Sequence, residues 1–301
     1  MHPATSNKYP ITNHQLPIIM KFNRRNFIKT TGASVLAAGM PAIVSGTSPV
    51  NSTTPAAEDA FSLAVAGYTF AKINLDDSLA MMKRVGVKYL GLKDFHLPLA
   101  STKEVIDQTI AKMKTFGVEP YGVGPIYMKS EAAVDQAFAY AKSVGVNLII
   151  GVPDVQLLPY VEKKVMEYDF RLAIHNHGPD LPIYPSAEDI WKEIKNLDAR
   201  IGFCLDIAHT VRLGLDPIET YIKYKDRMYD FHIWDVDKPE KAGWCVEAGR
   251  GIIDFPKFFK TLRENKYAGT CSLEYGKDMA DPLPGIAESI GYFRGVLAGL
   301  K

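Results

Sequence analysis

The chain has only three cysteines among 301 residues. Cys204, Cys245 and Cys271 are too few and too scattered for a disulfide framework, so at most one bridge is possible and none is expected. An excess of one charge is also lacking: 35 Lys and Arg stand against 34 Asp and Glu, leaving a formal charge of +1. That balance gives no electrostatic reason to expect nucleic acid or an anionic membrane as a partner. The mild apolar stretch from Gly32 to Val44 is too short to span a bilayer as a stable helix. What remains is ordinary globular composition, 47% hydrophobic and 23% charged, enough for an ample core without staples. The length suits one large α/β barrel or two smaller domains.

Ahead of that apolar stretch lies Asn23-Arg24-Arg25-Asn26-Phe27-Ile28-Lys29. Twin arginines, a large apolar pair, a lysine and a weakly hydrophobic run resemble a twin-arginine export signal. Met20 sits where a start codon would, so residues 1–19 read as a misassigned or disordered extension and 20–46 as the signal. Small residues around Ser45 and Gly46 offer a cleavage region without a clean A-x-A. Residues 47–60 read as a Ser/Thr/Pro/Ala-rich linker, and no cysteine follows the apolar run to carry a lipid anchor. The expected destination is the periplasm.

From Phe61 to the C-terminus short apolar runs alternate with amphipathic segments. Expected strands are Leu63–Tyr68, Tyr89–Lys93, Glu119–Val123, Leu148–Val152, Arg171–His175, Ile201–Asp206, Tyr229–Ile233 and Thr270–Glu274. Between them apolar residues recur at helical spacing, as in Leu79, Met81, Met82 and Val85, or Val105, Ile110, Met113 and Phe116. Ser130, Ser186 and Asp216 stand at helix starts, and Gly86, Gly117 and Gly145 at helix ends. Eight strand–helix units in some 240 residues predict a single-domain (β/α)8 TIM barrel over residues 61–301. The doubly wound alternative would show a glycine-rich phosphate turn after its first strand, where this chain has Tyr68-Thr69-Phe70.

In such barrels chemistry sits at the C-terminal ends of the strands. Lys93 closes the second expected strand, with Asp94 and His96 beyond it. His175 closes the fifth with Asn176 and His177, Asp206 the sixth with His209, and Glu274 the eighth; His232 lies near the end of the seventh. Alternate strand residues share a face. Gly202, Cys204 and Asp206 therefore point one way, as do Thr270, Ser272 and Glu274, and Tyr89, Gly91 and Lys93. Inward carboxylates need a cation or strong hydrogen bonds, and a mixed His and carboxylate set suits one divalent ion: Zn, Mn, Co or Fe(II).

Leu205-Asp206-Ile207-Ala208-His209, Phe231-His232-Ile233-Trp234-Asp235 and Gly249-Arg250-Gly251-Ile252-Ile253-Asp254-Phe255 carry a resemblance, continued by Tyr267-Ala268-Gly269 and Leu273-Glu274. Together they resemble the xylose-isomerase-like sugar phosphate isomerase/epimerase family. The resemblance implies metal ligands at Asp206, His232 and Glu274, and a substrate contact at His209. The family's fifth-strand glutamate is replaced here by His175, expected to ligate in its place. Two flanking glutamates serve the epimerases of that family, so a single Glu274 puts the two-base mechanism in question. Leu92-Lys93-Asp94-Phe95-His96-Leu97-Pro98 and Ala173-Ile174-His175-Asn176-His177-Gly178-Pro179 resemble a branch implicated in cleaving 3-keto-glycosides.

The expected chemistry is proton abstraction α to a sugar carbonyl through a metal-stabilised enediolate, giving isomerisation or epimerisation, with β-elimination from a 3-keto-glycoside as the alternative. Candidate bases are Glu274, His177 and His96. Lys93 reads either as an oxyanion partner or acid, or as half of a salt bridge. Arg250 is a candidate substrate clamp or a structural residue. Tyr68, Phe70, Tyr127, Trp234 and Trp244 are candidate walls against a sugar ring. Two other classes compete: an endonuclease-IV-type DNA repair enzyme, disfavoured by the balanced charge, and a non-catalytic sugar-binding barrel. The expected partner is a small sugar or keto-glycoside; oligomeric state is not legible.

Overall fold

The structure is a computed structural model that describes residues 59–300. The expected extension, the signal and nearly all of the linker fall outside those residues. Eight parallel strands close into a barrel: β1 (Ser62–Ala66), β2 (Tyr89–Leu92), β3 (Glu119–Met128), β4 (Leu148–Pro153), β5 (Arg171–His175), β6 (Ile201–Asp206), β7 (Met228–Ile233) and β10 (Thr270–Leu273). A two-stranded antiparallel ribbon, β8 (Asp235–Val236) with β9 (Cys245–Val246), interrupts the alternation after β7. Closure comes from β1, which pairs with β10 on one side and β2 on the other.

Helices cover the outside, and their ends follow the local chemistry. Ser130, Ser186 and Asp216 each accept a backbone N–H through the side chain at a helix start, satisfying donors that the helix cannot pair internally. Gly86 and Gly145 end their helices in the left-handed conformation. The helix Lys103–Thr115 corrects one detail of the sequence reading. It buries Ile106 and Met113, whereas Val105 is exposed. Met113, Ile110 and Phe116 of the expected set do pack on the core, and Ile106 takes the place of Val105.

Strand alternation divides the core in two. Outward residues such as Leu172, Ile174, Phe203, Leu205, Phe231, Cys271 and Leu273 pack under the helices in the main apolar cluster. Inward residues Leu148, Ile150, Ala173 and Cys204 form a separate cluster inside the barrel, with Tyr121 and Tyr229 against it. Gly202 has no alternative in this crowded tube, because an added Cβ would strike the Arg227 carbonyl oxygen and the Tyr229 ring. Phe70, a candidate wall of the mouth, is instead fully buried in the main cluster. Its segment, Gly67–Phe70, is a 3-10 turn and not the end of a strand, which turns the ring into the core. All three cysteines are free and buried, so no bridge forms among the described residues.

Phe258 is fully buried beneath the helix layer, edge-on to Phe231 at 5.2 Å and tilted against Phe259 at 5.6 Å. Phe258→Ala is expected to cost about 3–5 kcal/mol through lost burial and the cavity left behind. Urea unfolding followed by far-UV circular dichroism measures it, and a loss below about 1 kcal/mol would contradict this packing.

Candidate metal centre

The inward faces of β5, β6, β7 and the end of β10 bring four side chains together. One ligand atom each from His175, Asp206, His232 and Glu274 lies within 4.8 Å of the others. The four sit on consecutive barrel strands, and register explains their meeting: Asp206 pairs with His232 across β6 and β7, and His175 with Cys204 across β5 and β6. The first three are buried, and the Glu274 side chain is 17% exposed.

Several ligand atoms have no hydrogen-bond partner among the described residues: both ring nitrogens of His175, Nδ1 of His232 and Oε2 of Glu274. His232 Nδ1 and Glu274 Oε2 approach to 2.6 Å without hydrogen-bond alignment. Buried polar atoms left unsatisfied are costly, and a shared cation would answer one nitrogen of each histidine and the Glu274 oxygen together. The donors are imidazole nitrogens and carboxylate oxygens, a set that fits a divalent transition ion.

Asp206 is fixed before any ion arrives. Its Oδ1 accepts from His209 N–H at 2.8 Å, capping the short helix Ile207–Arg212, and its Oδ2 accepts from Trp234 Nε1 at 2.8 Å. Asn176, fully buried, accepts from Asp206 N–H at 2.7 Å and donates to the Asp206 carbonyl at 3.2 Å. The sequence reading named Asn176 after His175 without giving it a role, and the structure turns it toward the neighbouring strand.

Burial and charge pull the ionisable groups apart. Burial holds His175 well below its ordinary value, reinforced by His232 and His177 nearby. Burial also raises Asp206, with Glu274 adding repulsion. For His232 burial opposes the charged ring, but Glu274, Asp230 and Asp206 outweigh it and push it up to about 9. Burial works against the Glu274 carboxylate too, and His232 beside it still holds it below its ordinary value. The charged forms of His232 and Glu274 thus favour each other where an ion would sit.

Above the cluster opens a cavity of about 510 Å³ lined by Tyr68, Lys93, Tyr127, His177, His209 and Trp234, among others. Trp244 and Met279 also line it, with Trp244 largely exposed. Tyr127 Oη lies 2.9 Å from His177 Nε2, and burial, followed by His209, keeps His177 below its ordinary value. An unprotonated imidazole with a phenol in contact can take one proton and pass another. Lys93 also reaches the wall, but its ammonium is 3.0 Å from Asp94 and donates to the Pro125 carbonyl at 2.7 Å. Lys93 thus lines the cavity while forming a salt bridge with Asp94.

Two candidates are not brought to the site. His96 turns away, its Nε2 2.8 Å from the Ile73 carbonyl and its ring against Phe70 and Phe95. The turn after β2 carries it past the cavity wall. Arg250 lies on the outer surface in a paired contact with Glu288, at 2.5 and 2.8 Å. Its flanking glycines have a structural cause: Asp235 accepts the N–H groups of Gly249, Gly251 and Ile253, and a Cβ on Gly251 would strike that carboxylate. Conversely, Arg212 and Asp180 line the cavity as a fork-to-carboxylate pair at 2.5 and 3.0 Å. They stand 32 residues apart in loop and helix, with no spacing to reveal them.

The xylose isomerase-like TIM barrel family matches residues 155–296, the part that carries all four cluster residues. Over that stretch the chain resembles this family. An inosose dehydratase of Clostridium botulinum (strain Eklund 17B / Type B) is 30% identical over 135 residues, 38% of this chain and 44% of the relative. A second, from strain Alaska E43 / Type E3, is 32% identical over 117 residues, 33% of this chain and 39% of the relative. The chain thus matches less than half the length of these curated relatives. A putative uncharacterized protein from Parabacteroides distasonis ATCC 8503 has 25% identity and a TM-score of 0.63, over 78% of this chain and 99% of that one. The IOLI protein, crystallised with a binding zinc atom, shares the fold at 16% identity and a TM-score of 0.65, over 80% of this chain and 99% of that one.

Asp206→Ala and His232→Ala are expected to abolish retention of a divalent ion while leaving the barrel folded. Metal analysis of both purified variants checks this, and stoichiometric metal in both would contradict it. The pH dependence has a definite sign. His232 is raised from 6.5 to about 9 on folding, so its stabilisation of the metal-free protein is full below about 6.5 and lost as pH rises through about 9. An ion displaces that proton, so its binding should strengthen across the same interval. Calorimetric titration with Zn²⁺ at either end tests the trend, and a flat profile would refute it.

Proposed function

We propose that the protein is a metal-dependent carbohydrate enzyme that removes the proton α to a sugar carbonyl and completes the reaction by β-elimination. The observation that carries this reading is the cluster of His175, Asp206, His232 and Glu274, where buried atoms of His175, His232 and Glu274 have no hydrogen-bond partner among the described residues, at the floor of a cavity. A divalent ion held there would supply Lewis-acid stabilisation of the oxygen on which charge develops.

The chain's own groups perform the rest. His177, unprotonated near neutrality, is placed to accept the α-proton. The electron pair moves into the carbonyl and then back, expelling the oxygen substituent β to it. Tyr127, hydrogen-bonded to His177, is placed to carry a proton toward that leaving oxygen. Trp234 and Tyr68 flank the ring, while His209 offers a donor to its hydroxyls. Elimination is favoured over two-base epimerisation because position 175 holds a buried histidine instead of a second carboxylate base. The similarity to inosose dehydratases, enzymes named for loss of water, supports the same direction. Loss of an alcohol from a 3-keto-glycoside is the same step with a different leaving group. Export through the Arg24-Arg25 segment belongs to this proposal, and would place the enzyme where glycosides are met.

NMR of a 3-keto-glucoside and of simple ketoses, each incubated with the metal-loaded protein in heavy water, tests the reading. Release of the aglycone with an unsaturated keto-sugar is expected. Deuterium entering an unchanged or rearranged sugar would indicate isomerisation or epimerisation, and no exchange with any substrate would leave a binding barrel. His177→Ala is expected to lower turnover by about 10²–10⁴-fold with the metal content unchanged, and steady-state kinetics with metal analysis checks both halves.

A further inference from the structure

Beneath the cluster lies a third carboxylate that the proposed chemistry does not use. Asp230 is fully buried on β7, two residues before His232, and therefore on the same inward face. Its neighbours are almost all neutral. Tyr121 Oη donates to Oδ2 at 3.1 Å and Cys204 Sγ to the same oxygen at 3.4 Å, and Ser272 Oγ lies 3.5 Å from Oδ1. Ser272 and Tyr121 are themselves linked at 2.5 Å, so the donors form one connected floor. Among the described residues no lysine or arginine forms a salt bridge with Asp230. The basic group that faces it is His232, whose Nε2 is 3.6 Å from Asp230 Oδ2.

The imidazole of His232 thus has two distinct sides. Nε2 faces Asp230, and Nδ1 faces Glu274 Oε2 and the space between the four ligands. A carboxylate behind a ligating histidine holds the proton on the nitrogen turned toward it, fixes the ring and makes the other nitrogen a better donor. Two carboxylates and two neutral imidazoles balance a dication, and Asp230 adds one negative charge directly below it. We infer that Asp230 is a positioning residue for the metal centre, holding His232 as the Nε2–H tautomer with Nδ1 free for the ion, on the Tyr121–Ser272–Cys204 floor. This rests on the metal reading above.

The test begins with the wild-type protein loaded with Zn²⁺. A two-dimensional ¹H–¹⁵N spectrum of the imidazole nitrogens, assigned by comparison with His232→Ala, is expected to show His232 with its proton on Nε2. The proton on Nδ1 would overturn the inference without any change at Asp230. Asp230→Asn is then expected to weaken Zn²⁺ affinity by about 10–100-fold in chelator competition. Tyr121→Phe, which removes a floor donor but keeps the carboxylate, should weaken it less than Asp230→Asn does. Asp230→Asn with wild-type affinity would overturn the inference while His232→Ala, losing the ion, leaves the metal reading standing. Wild-type protein that takes up no Zn²⁺ would remove both.

Discussion

Two carboxylates and two imidazoles cannot share a small water-poor space without something positive among them. Asp206 and Glu274 repel each other there, and burial raises Asp206. The same burial discourages a charged imidazole at His175, so the histidines cannot both supply the missing charge. In the metal-free state His232 supplies what it can by keeping a proton against Glu274. Desolvating carboxylates is expensive, and two of them gathered with two imidazoles from four neighbouring strands suit a cation. The remaining features of the site are arranged about that requirement.

The cationic side chains nearby do not meet it. Lys93 is occupied by Asp94 and the Pro125 carbonyl, and Arg212 by Asp180 and the Lys241 carbonyl. Each lysine or arginine at the cavity is paired with its own partner, which leaves the ligand carboxylates available to the ion. Rigid neighbours keep the ligands in place: Trp234 and Asn176 hold Asp206, and Thr69 Oγ1 accepts from Tyr275 N–H immediately after Glu274. Preorganisation of this kind limits the reorganisation that ion binding and proton transfer would otherwise require. It also separates the structural role of the Gly249–Gly251 loop, pinned by Asp235, from the chemistry that its sequence pattern suggests.

Much of this was legible in the linear chain because the strand period is two. Counting alternate residues back from Asp206 through Cys204 and Gly202 gave the inward face, and the same count on the last strand gave Glu274. Asp230 was equally open to that count from His232. It was missed because attention to strand ends favours the residue at the mouth over the one beneath it. His96 and Arg250 misled for a different reason. Both lie in connecting segments, where no periodicity says which way a side chain points. Arg212 and Asp180 were invisible because their partnership is made by the barrel's curvature alone.

The order of apolar runs, caps and glycines by itself determined eight strand–helix units, their inward faces and the residues that end the strands. Those are local properties, set by backbone sterics and hydrophobic periodicity within a few residues. Only the closed barrel decided that His175, Asp206, His232 and Glu274 come within reach of one ion. The same closure put Tyr127 beside His177 and set Asp230 beneath His232. Those proximities depend on register between strands distant in sequence. Register is fixed by how all eight strands pack at once, a condition that no single segment contains.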